Sequence, residues 1–413
     1  MNRQIRFFPA FLALTIAAAV ACSLSPFGVG GTQTPSPDQV ATVVAMTLPA
    51  PTSVVVDTPT NVPEASTSLL PHSLYFLGRD SQSLGQVYRI EKDGKTKTQL
   101  TFEPVNVTDY DVSMVDGNLA YVASNQLLLA NADGSNRRVL IDGGTGPDLR
   151  GFYGPVFSPD GGTLAYAHNG LNLYSVSTGV SNLVIDDRPL GGPLPLETYS
   201  PEKYSPDGTK LIVHLLYSDH SSIAIYYPAS NSLVRLICEE AVLTCDASWF
   251  YSDIEWLADS SSFYAAASTP TSTYADGNLW KVDAATGAVT TLIPFGLGDG
   301  TINLPDEPYL APDGQLYFFF GTYSENSGYF EAPVLELVRA GPNGVTDLTV
   351  LRNENFRLMN EALWAPDASF VIIASAPERR WDQGGGVLEL YYTDGQKDVV
   401  WLAPYGEQMK WGP

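Results

Sequence analysis

Eight carboxylates of this chain fall at the starts of what read as innermost strands: Asp109, Asp111, Glu202, Asp253, Glu255, Asp306, Glu307 and Glu361. If they converge, two kinds of chemistry open. A cage of six to eight oxygens holds Ca²⁺, and two carboxyl groups flanking a glycosidic bond cleave it. A second set is aromatic and cationic, with Tyr274, Tyr323, Tyr329 and Phe330 near Arg379, Arg380 and Trp381 in three long connections. Aromatic faces beside guanidinium groups suit a sugar or a peptide, by stacking and by two-pronged hydrogen bonding to carboxylates. Bland accounts compete with both. The chain has 45 acidic residues in 413, so acids reach strand starts without selection for a site, and aromatic residues in long loops often pack the loops down. No His pair or Cys/His spacing fits a zinc site, no cofactor motif is present, and no Ser/His/Asp arrangement follows from spacing. No residue is therefore assigned a catalytic role.

The elements that would position these groups are set by a repeat. Phe157-Ser158-Pro159-Asp160-Gly161 returns as Tyr204-Ser205-Pro206-Asp207-Gly208, Leu310-Ala311-Pro312-Asp313-Gly314, Trp364-Ala365-Pro366-Asp367 and, more weakly, Trp256-Leu257-Ala258-Asp259. Pro presets φ, Asp bonds its own backbone, and Gly accepts positive φ, so each copy is a tight turn between two strands. With Asp116 the turn aspartates stand 44, 47, 52, 54 and 54 residues apart. Each copy then reads as four short antiparallel strands, one blade of a propeller. A further unit from Leu74 lacks its first strand, and the chain ends Met409-Lys410-Trp411-Gly412-Pro413, which aligns with Leu363-Trp364-Ala365-Pro366. The expected fold is all-β, a seven-bladed β-propeller closed by the C-terminal strand completing blade 1; six or eight blades are the alternatives. Alternating strand direction puts the Pro-Asp-Gly turns at one end, and the rim carboxylates with the long connections of blades 5 to 7 at the other. The turn aspartates are architectural.

These copies resemble the WD40-like repeats with a Pro-Asp signature found in the propeller of the Tol system periplasmic protein and in prolyl oligopeptidase-type enzymes. The resemblance runs from Leu74 onward and implies the fold without implying a function, because such propellers serve as scaffolds, receptors and enzyme domains. The Gly-x-Ser-x-Gly elbow of the peptidases is absent from the sequence. Where the Tol protein has an N-terminal α/β domain, this chain has a Pro/Thr/Ser-rich stretch.

Arg3 and Arg6 precede an apolar run from Phe7 to Ala21, the pattern of an export signal and too short to span a bilayer. Ala19-Val20-Ala21-Cys22 resembles the lipobox of bacterial lipoproteins, which implies lipidation of Cys22 and anchoring to the cell envelope outside the cytoplasm. Residues 22–71 read as the lipidated Cys and a flexible tether, and residues 72–413 as the propeller. Cys238 and Cys245 remain, and an oxidising compartment makes them a disulfide. The net charge of −23 repels phosphate backbones, so nucleic acid is a poor partner. The expected function is a monomeric lipoprotein that binds a protein, peptide or glycan without catalysis, through Tyr274, Tyr323, Tyr329, Arg379, Arg380 and Trp381. A glycan hydrolase or lyase using the rim carboxylates, and a structural envelope component, are the alternatives. No cofactor is expected, Ca²⁺ at the rim being the one candidate.

Overall fold

The computed structural model describes residues 68–144, 151–189, 195–217, 221–238, 250–268, 277–296, 298–324, 334–343, 347–352, 354–357, 359–376 and 384–413. All regular structure among them is β. One unit shows why. Tyr153–Phe157, Thr163–Ala167, Gly170–Ser175 and Ser181–Asp186 are short runs rich in aromatic and branched residues, and they pair antiparallel in chain order, innermost to outermost. The turn joining the first two is fixed from within: Asp160 accepts the Gly162 N–H at 2.9 Å and the Ser158 hydroxyl at 2.5 Å, while Gly161 takes φ +68°. Asp116, Asp207, Asp259, Asp313 and Asp367 each accept the N–H two residues on in the same way. Ser260 and Ala368 hold positive φ where the other turns have glycine, so these two copies keep the geometry without the glycine of the repeat.

Four further sheets repeat this arrangement. Their innermost strands are Asp109–Val112, Pro195–Tyr204, Phe250–Trp256 and Thr301–Leu310. Two sheets gain a short fifth strand. Arg188–Pro189 joins the first edge of one, and Ile237–Cys238 runs parallel along the outer strand Ala288–Ile293 of another. The sixth sheet has seven strands. Met359–Trp364, Phe370–Ser375 and Gly386–Tyr392 lead to Val400–Trp411, which then pairs with Leu74–Arg79, followed by Gly85–Ile90 and Lys97–Gln99. Val400–Trp411 serves both halves, since Val400 to Gly406 pairs with Gly386–Tyr392 while Glu407, Lys410 and Trp411 pair with Leu77, Tyr75 and Leu74. It touches Met359–Trp364 on one side and Asp109–Val112 on the other, so the ring of inner strands closes there.

Burial lies between sheets. Phe319 and Leu337 meet Trp364 and Ile373 across one interface; Tyr75 and Val87 meet Tyr110 and Tyr121 across another. Trp256, Phe263 and Trp280 pack on Ile212 and Ile225. Each cluster takes residues from two neighbouring sheets, so no sheet is stable without its neighbours.

Neighbouring inner strands approach closely at Gly154, which has φ +56° and whose missing Cβ would sit 2.4 Å from the Pro201 carbonyl oxygen. Gly154→Ala is expected to cost about 1–3 kcal/mol, read as a lowered urea midpoint with unchanged m-value.

Candidate functional site

The inner strands depart from regular pairing at one depth. Register shifts fall between Tyr153 and Val156, Pro201 and Lys203, Ser252 and Glu255, Asp306 and Tyr309, and Met359 and Glu361, and in Val400–Trp411 opposite Tyr75 and Leu77. Such a bulge turns backbone N–H groups out of their own ladder. Gly154, Glu307 and Gln408 take positive φ there.

The acids expected at strand starts are not all there: pairing with the second strand carries the inner strands back to Pro195, Phe250 and Thr301, so Glu202, Glu255, Asp306 and Glu307 stand well inside their strands or near the turn end. Several of the eight acids face the bulges of the next inner strand. Asp109 accepts the Gly154 N–H of the next sheet at 2.6 Å, and Asp111 accepts that of Phe157 at 2.7 Å. Glu307 accepts Ala362 N–H at 2.6 Å. Glu361 accepts two, from Gln408 at 2.7 Å and from Met409. Lysines answer other acids: Lys410 reaches Asp111 at 3.0 Å and Lys203 reaches Glu255 at 2.5 Å, each across a sheet boundary. Glu202 is half exposed and lies 3.6 Å from His214. Asp306 is buried. The side chain of Asp253 lies outside the described residues.

Burial raises the Asp109 carboxyl, against the pull of Lys410 and its two backbone donors. Glu361 goes further, to about 7, because burial outweighs the two N–H groups it accepts; Glu407 adds to the rise and Lys410 opposes it. Burial would lower Lys410, yet Asp111 and Asp109 hold it above the ordinary lysine value. Among the described residues no three His, Cys, Asp or Glu side chains gather in a way that could hold a metal ion.

Aromatic side chains complete the belt. The indole N–H of Trp256 donates to Lys203 C=O, that of Trp364 to Glu307 C=O at 2.9 Å, and that of Trp411 to Trp364 C=O at 2.7 Å, each reaching the preceding inner strand. Tyr110 donates its hydroxyl to Gln408 C=O at 2.6 Å. Lys203, Lys410 and Gln408 belong to no motif. The signal that could have found them is their place in the repeat, since Asp111, Lys203, Glu255 and Lys410 each stand one residue before the last residue of the inner strand.

Of the aromatic set, Tyr323 is half-buried at the end of Leu316–Ser324 and packs on the cluster around Phe319 and Trp364. Tyr274, Tyr329, Phe330, Arg379, Arg380 and Trp381 lie outside the described residues, as do Cys22, Cys245 and the Cys238 side chain. Their flanking strand ends are described: Ser268 and Gly277, Ser324 and Glu336, and Ser375 and Gly386 lie at the end away from the Pro-Asp-Gly turns, where Ser324 pairs with Thr301 and Ser375 with Met359, while Glu307 stands further along its strand toward the turn at Ala311.

No protein-family model matches the sequence, and no curated protein matches it. Solved structures do. A puromycin-hydrolysing peptidase from Mycobacterium tuberculosis superimposes at 13% identity and TM-score 0.51, over 82% of this chain and 52% of its own. An oligogalacturonate lyase from Vibrio parahaemolyticus does so at 13% and 0.50, over 74% and 83%. TolB from Acinetobacter baumannii shows 15% identity and TM-score 0.42 over 80% and 79%. The chain spans about half the length of the peptidase. The likenesses to the peptidase and the lyase concern the fold alone, and the sheets described above make that fold a β-propeller built on four-stranded antiparallel units.

An acid whose folded pKa is raised stabilises the fold fully below its unfolded value and loses that contribution as pH rises through the folded value. For Glu361 the window runs from about 4.5 to about 7. Glu361→Gln is expected to remove up to about 3 kcal/mol of pH dependence there, measured as the wild-type minus variant difference in urea stability at several pH values.

Proposed function

We propose that this is an exported, lipid-anchored, seven-bladed β-propeller that binds a ligand or protein partner, without catalysis, through the end bearing the connections at 269–276, 325–333 and 377–383. Residues 1–21 are its signal peptide, Cys22 its lipidated residue, and Cys238 with Cys245 its disulfide. The count of seven is supported by the hydrophobic clusters, which fall at seven boundaries when Val400–Trp411 is assigned to two blades.

One observation carries the non-catalytic reading. Asp109, Glu307 and Glu361 already hold backbone N–H groups of the adjacent sheet, and Asp111 and Glu255 hold lysines. A general acid or nucleophile must present its carboxyl to a substrate, whereas these are turned sideways into the scaffold. The scaffold thereby becomes rigid, and long connections on a rigid frame are where recognition residues sit. Tyr274, Tyr329, Arg379, Arg380 and Trp381 supply stacking faces and guanidinium groups for a glycan or an acidic peptide.

Glycan and peptide arrays probed with the unlipidated mature chain, with and without chelator, are expected to return a ligand whose binding ignores chelation. Trp381→Ala or Arg379→Ala should weaken it by roughly 1–2 kcal/mol, about tenfold, with an unchanged circular dichroism spectrum. Turnover of the bound glycan that vanishes in Glu255→Gln would instead establish an enzyme.

A further inference from the structure

The cations of this acidic chain are unevenly placed. Lys92, Lys95 and Lys97 lie on the turn between Gly85–Ile90 and Lys97–Gln99, and Arg138 starts the strand of the next sheet beside it; all four are exposed. The two turns adjoin, because Arg89 donates to Ala132 C=O at 2.8 Å and a Cβ on Gly134 would meet the Leu100 carbonyl at 2.2 Å. No ion pair engages any of the four among the described residues. The carboxylates nearby are held in place. Glu91 pairs with Arg89 and Glu103 with Arg137, Asp93 accepts Lys95 and Thr96 N–H, Asp133 accepts Ser135 N–H, and Asp116 accepts Asn118 N–H. The anions bond their own turns or a neighbouring arginine, while Lys92, Lys95 and Arg138 are exposed and the Lys97 ammonium lies 5.4 Å from the centre of the Tyr88 ring.

A second feature occupies the same corner. Where other copies carry Pro-Asp at the first turn, the copy at Ser113 carries Met114 and Val115, which are 47% and 60% exposed. This turn also adjoins the others, since a Cβ on Gly117 would meet Ala132 at 2.9 Å and the Tyr75 hydroxyl at 3.6 Å. An open cleft of about 580 Å³, walled by Tyr75, Arg89, Glu91, Lys92, Asp93 and Thr96, lies beside the Lys92 turn.

A third observation concerns the chain's own path. Leu70 donates its N–H to Lys92 C=O at 2.9 Å, and Leu69 packs over Gly94. The sequence leading back to Cys22 therefore joins the propeller at this corner.

We propose that the turn end around Lys92, Lys95, Lys97, Met114, Val115 and Arg138 is a membrane-docking surface for anionic phospholipid headgroups. Outward cations flanking exposed apolar residues suit a bilayer interface, where the cations meet headgroups and the apolar pair enters the boundary. The choice of a bilayer as occupant rests on the lipid-anchor reading of Cys22, which keeps a membrane within reach of this corner. Aspartates stand here as at the other turn ends, Asp93 and Asp133 being held below the usual carboxylate range by hydrogen bonds from Thr96 and Ser135 as Asp160 and Asp367 are by Ser158 and Ser369; what sets this corner apart is Lys92, Lys95, Lys97 and Arg138 beside the exposed Met114 and Val115. The binding connections then point away from the membrane.

The test uses the mature polypeptide with Cys22→Ala, made without lipid, in sedimentation with vesicles of phosphatidylcholine alone or mixed equally with phosphatidylglycerol. Binding to the mixed vesicles only is expected, weakening with added salt and falling about fivefold for each of Lys92→Gln, Lys95→Gln and Lys97→Gln. Met114→Ser with Val115→Ser should lower the binding that survives salt. Equal sedimentation with both vesicles, none with either, or variants indistinguishable from wild type would overturn the proposal. So would equal retention on a soluble acidic polysaccharide with the same loss in the lysine variants. Acylation is read separately, by mass, on the wild-type chain, so an unlipidated Cys22 would defeat the anchor reading while leaving the vesicle result to stand on its own.

Discussion

An innermost strand of a propeller sheet has a ladder partner on one side only, and its other edge meets the neighbouring sheet in partly dehydrated surroundings. Backbone N–H groups there need acceptors, because a buried donor left unpaired costs about 1–3 kcal/mol. This chain answers with carboxylates borrowed from the preceding inner strand, at Asp109, Glu307 and Glu361. Carbonyls facing the other way take indole N–H groups, as Trp364 C=O takes that of Trp411, and lysines pair with acids of the neighbouring inner strand. The bulges and the raised Glu361 follow from the need for acceptors. That need also bears on the proposed function, since an acid engaged in joining inner strands is not presented to a substrate.

The architecture was legible because it is local and repeated. Pro-Asp-Gly encodes its turn within five residues, and a truncated copy at Trp411-Gly412-Pro413 was enough to place the closing strand against Leu74–Arg79. The rim acids were legible as residues and illegible as partners. Their acceptor role depends on a one-residue slip in the facing strand, and a bulge at Glu361 or Gln408 has no residue-type signature comparable to glycine in a turn. An acid in this register reads from sequence as a ligand group, and only the facing N–H reveals it as a structural one. The long connections carry no periodic pattern, so the sequence gives them residue types without geometry.

Charge follows the same division. Turn aspartates are tied to their own backbones, so part of the −23 charge is fixed at the turn end, where exposed lysines join it at the corner in which Leu70 bonds Lys92. Position in the repeat organises electrostatics as well as shape: where the Pro-Asp copy is broken, at Met114-Val115 and at the seam beside Leu74, the surface changes character too.

The strand Val400–Trp411 has a consequence in time. Leu74 is among the first propeller residues to be synthesised, and its inner partner Trp411 comes only after all the other sheets. The edge of Leu74–Arg79 stays open until Val400–Trp411 is available, so the ring closes through a contact of very high sequence separation that slows folding. Until then the bare edge can pair with other strands, so the closing strand protects the sheet as well as completing it.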